Sequence, residues 1–404
     1  MEFQLQQIAY RGTIPKNYTN TWEKLSSELL EHNDFGKHIN RPNNWMDNEV
    51  NEIVGNAATQ TEKARKIYEY IRNNFTCTNF NNILAGSNLK EILKKKSGNV
   101  AEINLLLIAM LQNKKIDADP VILSTRENGI TNPYYPLIDK FNYVIARAVT
   151  DDNIIYLDAA RQRLPFGKLP LQAYNGHSRI INSTAPAIYF DTDSLNEVSS
   201  STVFIYNGEK GEVEGFFNNA NGTYGSLELR NKIAKTTLEE FKKTLQETYT
   251  EDITLSDIAI DSLKLLDEPV AVKYALHFKS FEDAAIVYFN PFIGDAIKNN
   301  PFTSAERFYP VEMPYIKKNT YILNMEIPAG YKVEELPKSV RLMLNEEDGM
   351  FEYLMSSDGK YLNLKCTLKI NRTHFLNEEY QTLRDFYSYV VKKQAEQIVF
   401  KKIK

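Results

Sequence analysis

The sequence predicts an α+β fold in two parts: helices and an antiparallel sheet first, then a mainly antiparallel β region. Three observations carry that reading. Helical periodicity with capping signatures runs through residues 20–115, the apolar period changes to two after residue 115, and hairpin-forming dipeptides recur through the second half. At 404 residues the chain exceeds what one hydrophobic core sustains, about 250–300 residues, so two or three domains are expected.

The helices come first. Asn20 stands three before Glu23 and Thr59 three before Glu62, a spacing at which each side chain caps the other's backbone N–H. Behind them, Trp22, Leu25 and Leu29, then Ala64, Ile67, Ile71 and Phe75, recur at helical spacing and should each lay one face on a core. Asn99 and Glu102 repeat the signature and open Val100 to Leu111. That segment is so apolar that its helix must be buried nearly all round.

Strands follow. Pro120 to Thr125, Phe141 to Val149 and Ile154 to Asp158 are β-branched and aromatic runs, and the last two are close enough to form a hairpin. Residues 186–200 are polar and turn-rich, a linker into 201–404, while 20–185 form the first domain. Beyond the linker, Asn207-Gly208, Asn221-Gly222, Asp348-Gly349 and Asp358-Gly359 supply the positive φ angles of tight hairpins. The expected architecture there is sandwich-like, with two packed helices near 231–248 and 377–395, the second presenting Tyr380, Leu383, Tyr387 and Val390 on one face. Ile398 to Phe400 should close the chain as a short strand.

Composition excludes several functions. Forty-eight basic and 52 acidic residues are mixed along the chain with no basic block, so nucleic acid has no electrostatic footprint. No apolar run reaches the roughly 18 residues of a membrane helix. Two cysteines and five scattered histidines show no ligand spacing, and neither metal nor cofactor is expected. Cys77 and Cys366 read as buried, inert thiols, with a bridge between the two halves as the alternative. His32, His38 and His177 read as solvated or locally bonded, His177 in a loop. The first residues, with Phe3 and Leu5 alternating as in a strand, carry no signal peptide; residues 1–19 read as a strand or linker from a missing N-terminal β domain.

The stretch Ser97-Gly98-Asn99-Val100-Ala101-Glu102, then Asp119-Pro120-Val121, Phe141-Asn142-Tyr143-Val144 and Tyr156-Leu157-Asp158-Ala159, resembles the transglutaminase-like core of bacterial envelope proteins, a papain-type cysteine-protease-like fold. Tyr309-Pro310-Val311, Ile327-Pro328-Ala329-Gly330-Tyr331 and Lys393 to Val399 resemble the β domain of unknown function that follows that core. The resemblance puts Val100 at the nucleophile position, Tyr143 at the base and Asp158 at the orienting acid. A thiol at the first helical residue would be activated by the helix dipole and deprotonated by an imidazole. Valine has nothing to deprotonate, and a phenol with an intrinsic pKa near 10 is a poor base.

What the resemblance implies is a pseudoenzyme of the periplasm or cell envelope, with a binding or structural role towards a protein, peptide or glycan. Two other readings stay open: a cysteine-protease-like or amide-transferring enzyme with a displaced nucleophile, and a carbohydrate- or peptide-binding envelope protein.

Overall fold

The computed structural model describes residues 21–403 apart from 152, 210–211, 280 and 282–283, together with residues 7, 8, 10, 16 and 17. The chain divides into two units, Met1–Asp191 and Thr192–Lys404. The expected strand at Phe3 and Leu5 and the Asn20 cap lie outside the described residues. Of the 1–19 segment, Gln7–Ile8 pairs antiparallel with Lys16–Asn17.

In the first unit, local sequence sets where helices begin. Helix α1 (Trp22–Glu31) is capped by Thr21, whose hydroxyl accepts from the Lys24 N–H at 3.3 Å. The short α2 (Gly36–Ile39) and α3 (Asp47–Val54) precede α4 (Gln60–Asn74), where Thr59 and Glu62 form the expected reciprocal cap. Asn88 caps α5 (Leu89–Lys95), and Asn99 with Glu102 caps α6 (Val100–Asn113). Every residue of α6 from Val100 to Leu111 is buried. Five antiparallel strands make the sheet, in the order Asn153–Leu157, Tyr143–Thr150, Asp117–Leu123, Gly176–Ile180, Ala187–Phe190. Residues Ile103, Leu107, Val121, Ile145 and Leu157 share one core with the helical faces predicted from periodicity.

The second unit is built on an eight-stranded sheet, ordered Ile253–Asp261, Ala271–Phe278, Val213–Ala220, Asn196–Asn207, Ile316–Glu326, Tyr361–Ile370, Gly349–Ser357, Val340–Leu344. A three-stranded sheet of Ile286–Phe289, Ile398–Lys402 and Tyr331–Glu335 contributes Val287, Phe289, Ile398 and Phe400 to the same core as Val203, Leu323 and Leu364. Helix α9 (Tyr380–Gln394) buries Tyr380, Leu383, Tyr387 and Val390, as its period requires, and Phe386 as well.

Four sequence expectations change. The segment 186–200 is no linker, because Ala187–Phe190 is the edge strand of the first sheet and Asn196 already opens a strand of the second. One helix near 231–248 is two, α7 (Thr223–Lys235) and α8 (Leu238–Glu247), because Thr237 caps a new helix by accepting from the Glu240 N–H at 3.1 Å. Asn221-Gly222 makes no hairpin; Gly222 is the N-cap of α7. The eight-stranded sheet also contains one parallel pair, Asn196–Ile205 with Ile316–Met325, since more than a hundred residues of chain separate those strands and no tight turn imposes their direction.

His177 is the fifth difference, being neither solvated nor in a loop. It lies buried in the Gly176–Ile180 strand, with its ring against Trp22 and Phe141 at centroid distances of 5.5 and 6.1 Å. Arg179 can only donate, and its Nε lies 3.2 Å from His177 Nε2, so that nitrogen carries the lone pair and the proton sits on Nδ1, 2.8 Å from Thr131 Oγ1. Burial first, and then the Arg179 charge, push the imidazole down to about 4. Unfolded histidine titrates near 6.5, so stability is fully present above that pH and is lost as pH falls from about 6.5 to about 4. The loss should reach roughly 3 kcal/mol. Urea midpoints measured against pH should show this limb in the wild type and a flatter one in His177→Gln; parallel limbs would refute the assignment.

Candidate active site

The site is built where α6 starts. Asn99 accepts from the Glu102 N–H at 2.9 Å, Glu102 Oε2 accepts from the Asn99 N–H at 2.7 Å, and Glu102 Oε1 accepts from the Gly86 N–H at 2.9 Å. Gly98 is needed for that closure, because a Cβ there would stand 2.7 Å from Glu102 Oε2. The Val100 N–H donates to the Asn79 carbonyl at 2.9 Å, and the Val100 side chain is fully buried.

One turn later on the same helix face stands Asn104, the one amide inside the apolar run. Its Nδ2 donates to Val144 O and to Asp158 Oδ1, both at 2.9 Å, and its Oδ1 accepts from the Ala159 N–H at 2.9 Å. Sheet register supplies the rest. Ala146 pairs with Leu157, so Tyr143 and Asp158 lie on one face at diagonal positions, within reach of a long side chain. The Tyr143 hydroxyl donates to Asp158 Oδ2 at 2.7 Å and accepts from Arg161 Nε at 3.1 Å. The Ala160 N–H donates to Asp158 Oδ1 at 3.0 Å.

Tyr143 and Asp158 are thus joined directly, and Val100 lies on the helix face whose next turn reaches both strands. Burial raises the Asp158 carboxyl, while Asn104, Tyr143 and the Arg161 charge pull the other way. Burial, reinforced by the Asp158 charge, lifts the Tyr143 phenol well above its usual value, so it donates a hydrogen bond and holds its proton. Cys77 pairs with Gly98 in a short parallel ladder, two residues from Val100, and its Sγ lies 3.4 Å from Asn79 O. Burial pushes that thiol up to about 12, so it stays protonated at neutral pH. His177 does not serve here, since both its ring nitrogens are engaged elsewhere. Cys77 and Cys366 are both free thiols.

Beside these residues opens a cleft of about 460 Å³, lined by Asn79, Phe80, Asn81, Thr125, Glu127, Asn128, Asn142, Arg161 and Gln172. The Arg161 guanidinium lies 3.6 Å from the centre of the Phe80 ring, so it bridges the cleft wall to the Tyr143 hydroxyl. Sequence reasoning passed over Asn104 and Arg161. Asn104 carried a signal, a lone amide four residues after Val100 in a run of aliphatics; Arg161 carried none. Among the described residues no cluster of three metal-ligating side chains occurs, and no helix is long and apolar enough to cross a membrane.

Residues 48–153 match the model of the transglutaminase-like superfamily, a span that includes Val100 and Tyr143 and stops short of Asp158. Residues 285–400 match a domain of unknown function, DUF3858. A crystal structure of a candidate protease from Parabacteroides distasonis superposes with a TM-score of 0.56 at 13% identity, over 99% of this chain and 63% of that one, which is a likeness of fold. The chain therefore spans less than two thirds of that protein's length. No curated protein matches the sequence. Fold, segment order and matched residues agree: the chain carries a transglutaminase-like core followed by a C-terminal DUF3858 domain.

Proposed function

We propose that the first unit is a transglutaminase-like domain without catalysis, a pseudoenzyme of the bacterial cell envelope whose cleft binds a protein, peptide or glycan. The observation that carries this reading is the closed Tyr143–Asp158–Asn104 network, in which a phenol that keeps its proton stands at the base position and a valine at the nucleophile position. Nothing there can generate an attacking group near pH 7. The cleft, by contrast, is rich in amides, which both donate and accept and so match a peptide backbone or sugar hydroxyls, with Phe80 offering an apolar platform. The envelope setting rests on the sequence resemblance; recovery of the native protein in the cytosol alone would overturn it.

The rival, an enzyme with a displaced nucleophile, draws on one observation, the position of Cys77 beside Gly98. A thiol-alkylating probe separates the two. Cys77 should label slowly until the chain unfolds, because its thiol is pushed up to about 12. The wild type should show no peptidase or transamidase activity above buffer. Fast labelling of native Cys77 that depends on a histidine, or amide hydrolysis by the wild type, would replace the pseudoenzyme with the enzyme.

A further inference from the structure

The strand Asn153–Leu157 runs out into Asp158, Ala159 and Ala160, and hydrogen bonds fix that turn. The Ala159 N–H donates to Asn104 Oδ1 at 2.9 Å and the Ala160 N–H to Asp158 Oδ1 at 3.0 Å. Arg161 leaves the turn and is held at two further points. Its Nε donates to the Tyr143 hydroxyl at 3.1 Å, and its guanidinium carbon lies 3.6 Å from the centre of the Phe80 ring. The guanidinium is therefore placed before any ligand arrives. Its terminal nitrogens, Nη1 and Nη2, have no hydrogen-bond partner and no ion pair among the described residues, although the side chain is half-buried and lines the 460 Å³ cleft. A guanidinium carries five N–H donors, and the protein engages only the one on Nε.

Two acids lie near this cation, and neither takes the free nitrogens. Asp158 offsets part of the positive charge, but its oxygens accept from Tyr143, Asn104 and the Ala160 N–H rather than from the guanidinium. Glu127 is the other charged residue of the cleft wall, exposed and not ion-paired with Arg161. The cleft thus offers one open cationic fork beside one carboxylate, which suits a ligand with a single negative group better than a polyanion. Much of the remaining wall is amide. Asn142 and Asn128 are committed to Thr125, Ser124 and Lys140, whereas the side-chain amides of Asn81 and Gln172, and Asn79 Nδ2, find no partner among the described residues. Such groups donate and accept as peptide bonds do. Phe80 is the one aromatic ring lining the cleft, and the guanidinium already covers one of its faces, so a sugar ring would have at most the other to stack on.

We infer that the cleft binds the C-terminal carboxylate of a peptide, with Nη1 and Nη2 of Arg161 making two parallel bonds to its oxygens and the last peptide groups meeting Asn79, Asn81 and Gln172. The inference rests on the non-catalytic reading of the same cleft and names its ligand class. Glu127 sets the limit, since it repels a second carboxylate on the ligand.

Titration calorimetry of the full chain with N-acetyl-trialanine, and with N-acetyl-trialanine amide, tests the proposal. The acid should bind, and the amide should bind about tenfold more weakly or worse, a comparison that needs no variant. Arg161→Lys keeps the charge but loses the fork and the bond to Tyr143. In a protein whose urea midpoint shows the first unit still folded, it should weaken binding of the acid roughly tenfold or more. Glu127→Gln, outside the Tyr143 network, should tighten it a few-fold. Absence of binding by the acid, undiminished binding by folded Arg161→Lys, or tighter binding of trigalacturonate than of the acid peptide would overturn the proposal. Equal binding of acid and amide would also overturn it, while leaving the cleft a peptide site. Hydrolysis of the amide by the wild type is a different result, and would remove the non-catalytic reading and the inference with it.

Discussion

Replacing Asp158 by alanine should destabilise the first unit by about 3–5 kcal/mol, on the scale of breaking a buried charged network. The carboxylate is fully buried and accepts from Asn104 Nδ2, the Ala160 N–H and the Tyr143 hydroxyl. Alanine leaves three buried donors without an acceptor, at roughly 1–3 kcal/mol each before relaxation. Asp158→Asn should cost much less, because the amide keeps one oxygen for Asn104 and Ala160. Both tryptophans, Trp22 and Trp45, lie in the first unit, so indole fluorescence in a urea titration reports that unit alone. The pH dependence carries a sign as well. Burial raises the carboxyl of the folded state, so its contribution is full below the unfolded value near 3.9 and is lost as pH rises through the folded one. Asp158→Asn should lack that slope. An alanine variant as stable as the wild type would mean the network carries no weight in the fold.

Rebuilding the missing chemistry should give the largest change in reactivity. In Val100→Cys alone, the new thiol occupies a fully buried position and should titrate above free cysteine, as Cys77 does. Adding Tyr143→His puts an imidazole where the phenol now bonds Asp158, within reach of the acid that would orient it. The thiol should then fall well below roughly 8.5, and its alkylation near neutral pH should rise roughly tenfold or more over the single variant. Alkylation rates against pH for the two variants give the comparison. Identical thiol pKa values in well-folded proteins would mean that these positions never formed a triad. Turnover is not expected even so, because the Val100 N–H is already committed to Asn79 O, which leaves one oxyanion donor fewer at the helix start.

Local chemistry determined much of this protein from sequence alone. Where a helix starts depends on a side chain three residues from its partner, so Thr59 with Glu62 and Asn99 with Glu102 are legible without tertiary context. Periodicity likewise fixed which faces of α4 and α9 are buried, and an all-apolar run declared α6 the central helix. The quoted motifs extended that reading to the transglutaminase-like core and the domain that follows it.

What remained hidden depends on residues distant in the chain. Asn221-Gly222 has the composition of a hairpin turn, but whether such a pair turns a strand back or caps a helix depends on what packs beyond it, and there it caps α7. A histidine after Asn-Gly looks solvated until Thr131, from outside its strand, takes Nδ1 and burial closes over it, with Arg179 of the same strand on Nε2. The parallel pair in the large sheet joins strands whose pairing no turn specifies. Val100, Tyr143 and Asp158 could be named from the sequence, but their linkage through Asn104 and Arg161 could not, because it needs register across two strands and a helix. Sequence carries the short-range terms, caps and periods; partnership and desolvation are long-range, and the tertiary structure alone decided them.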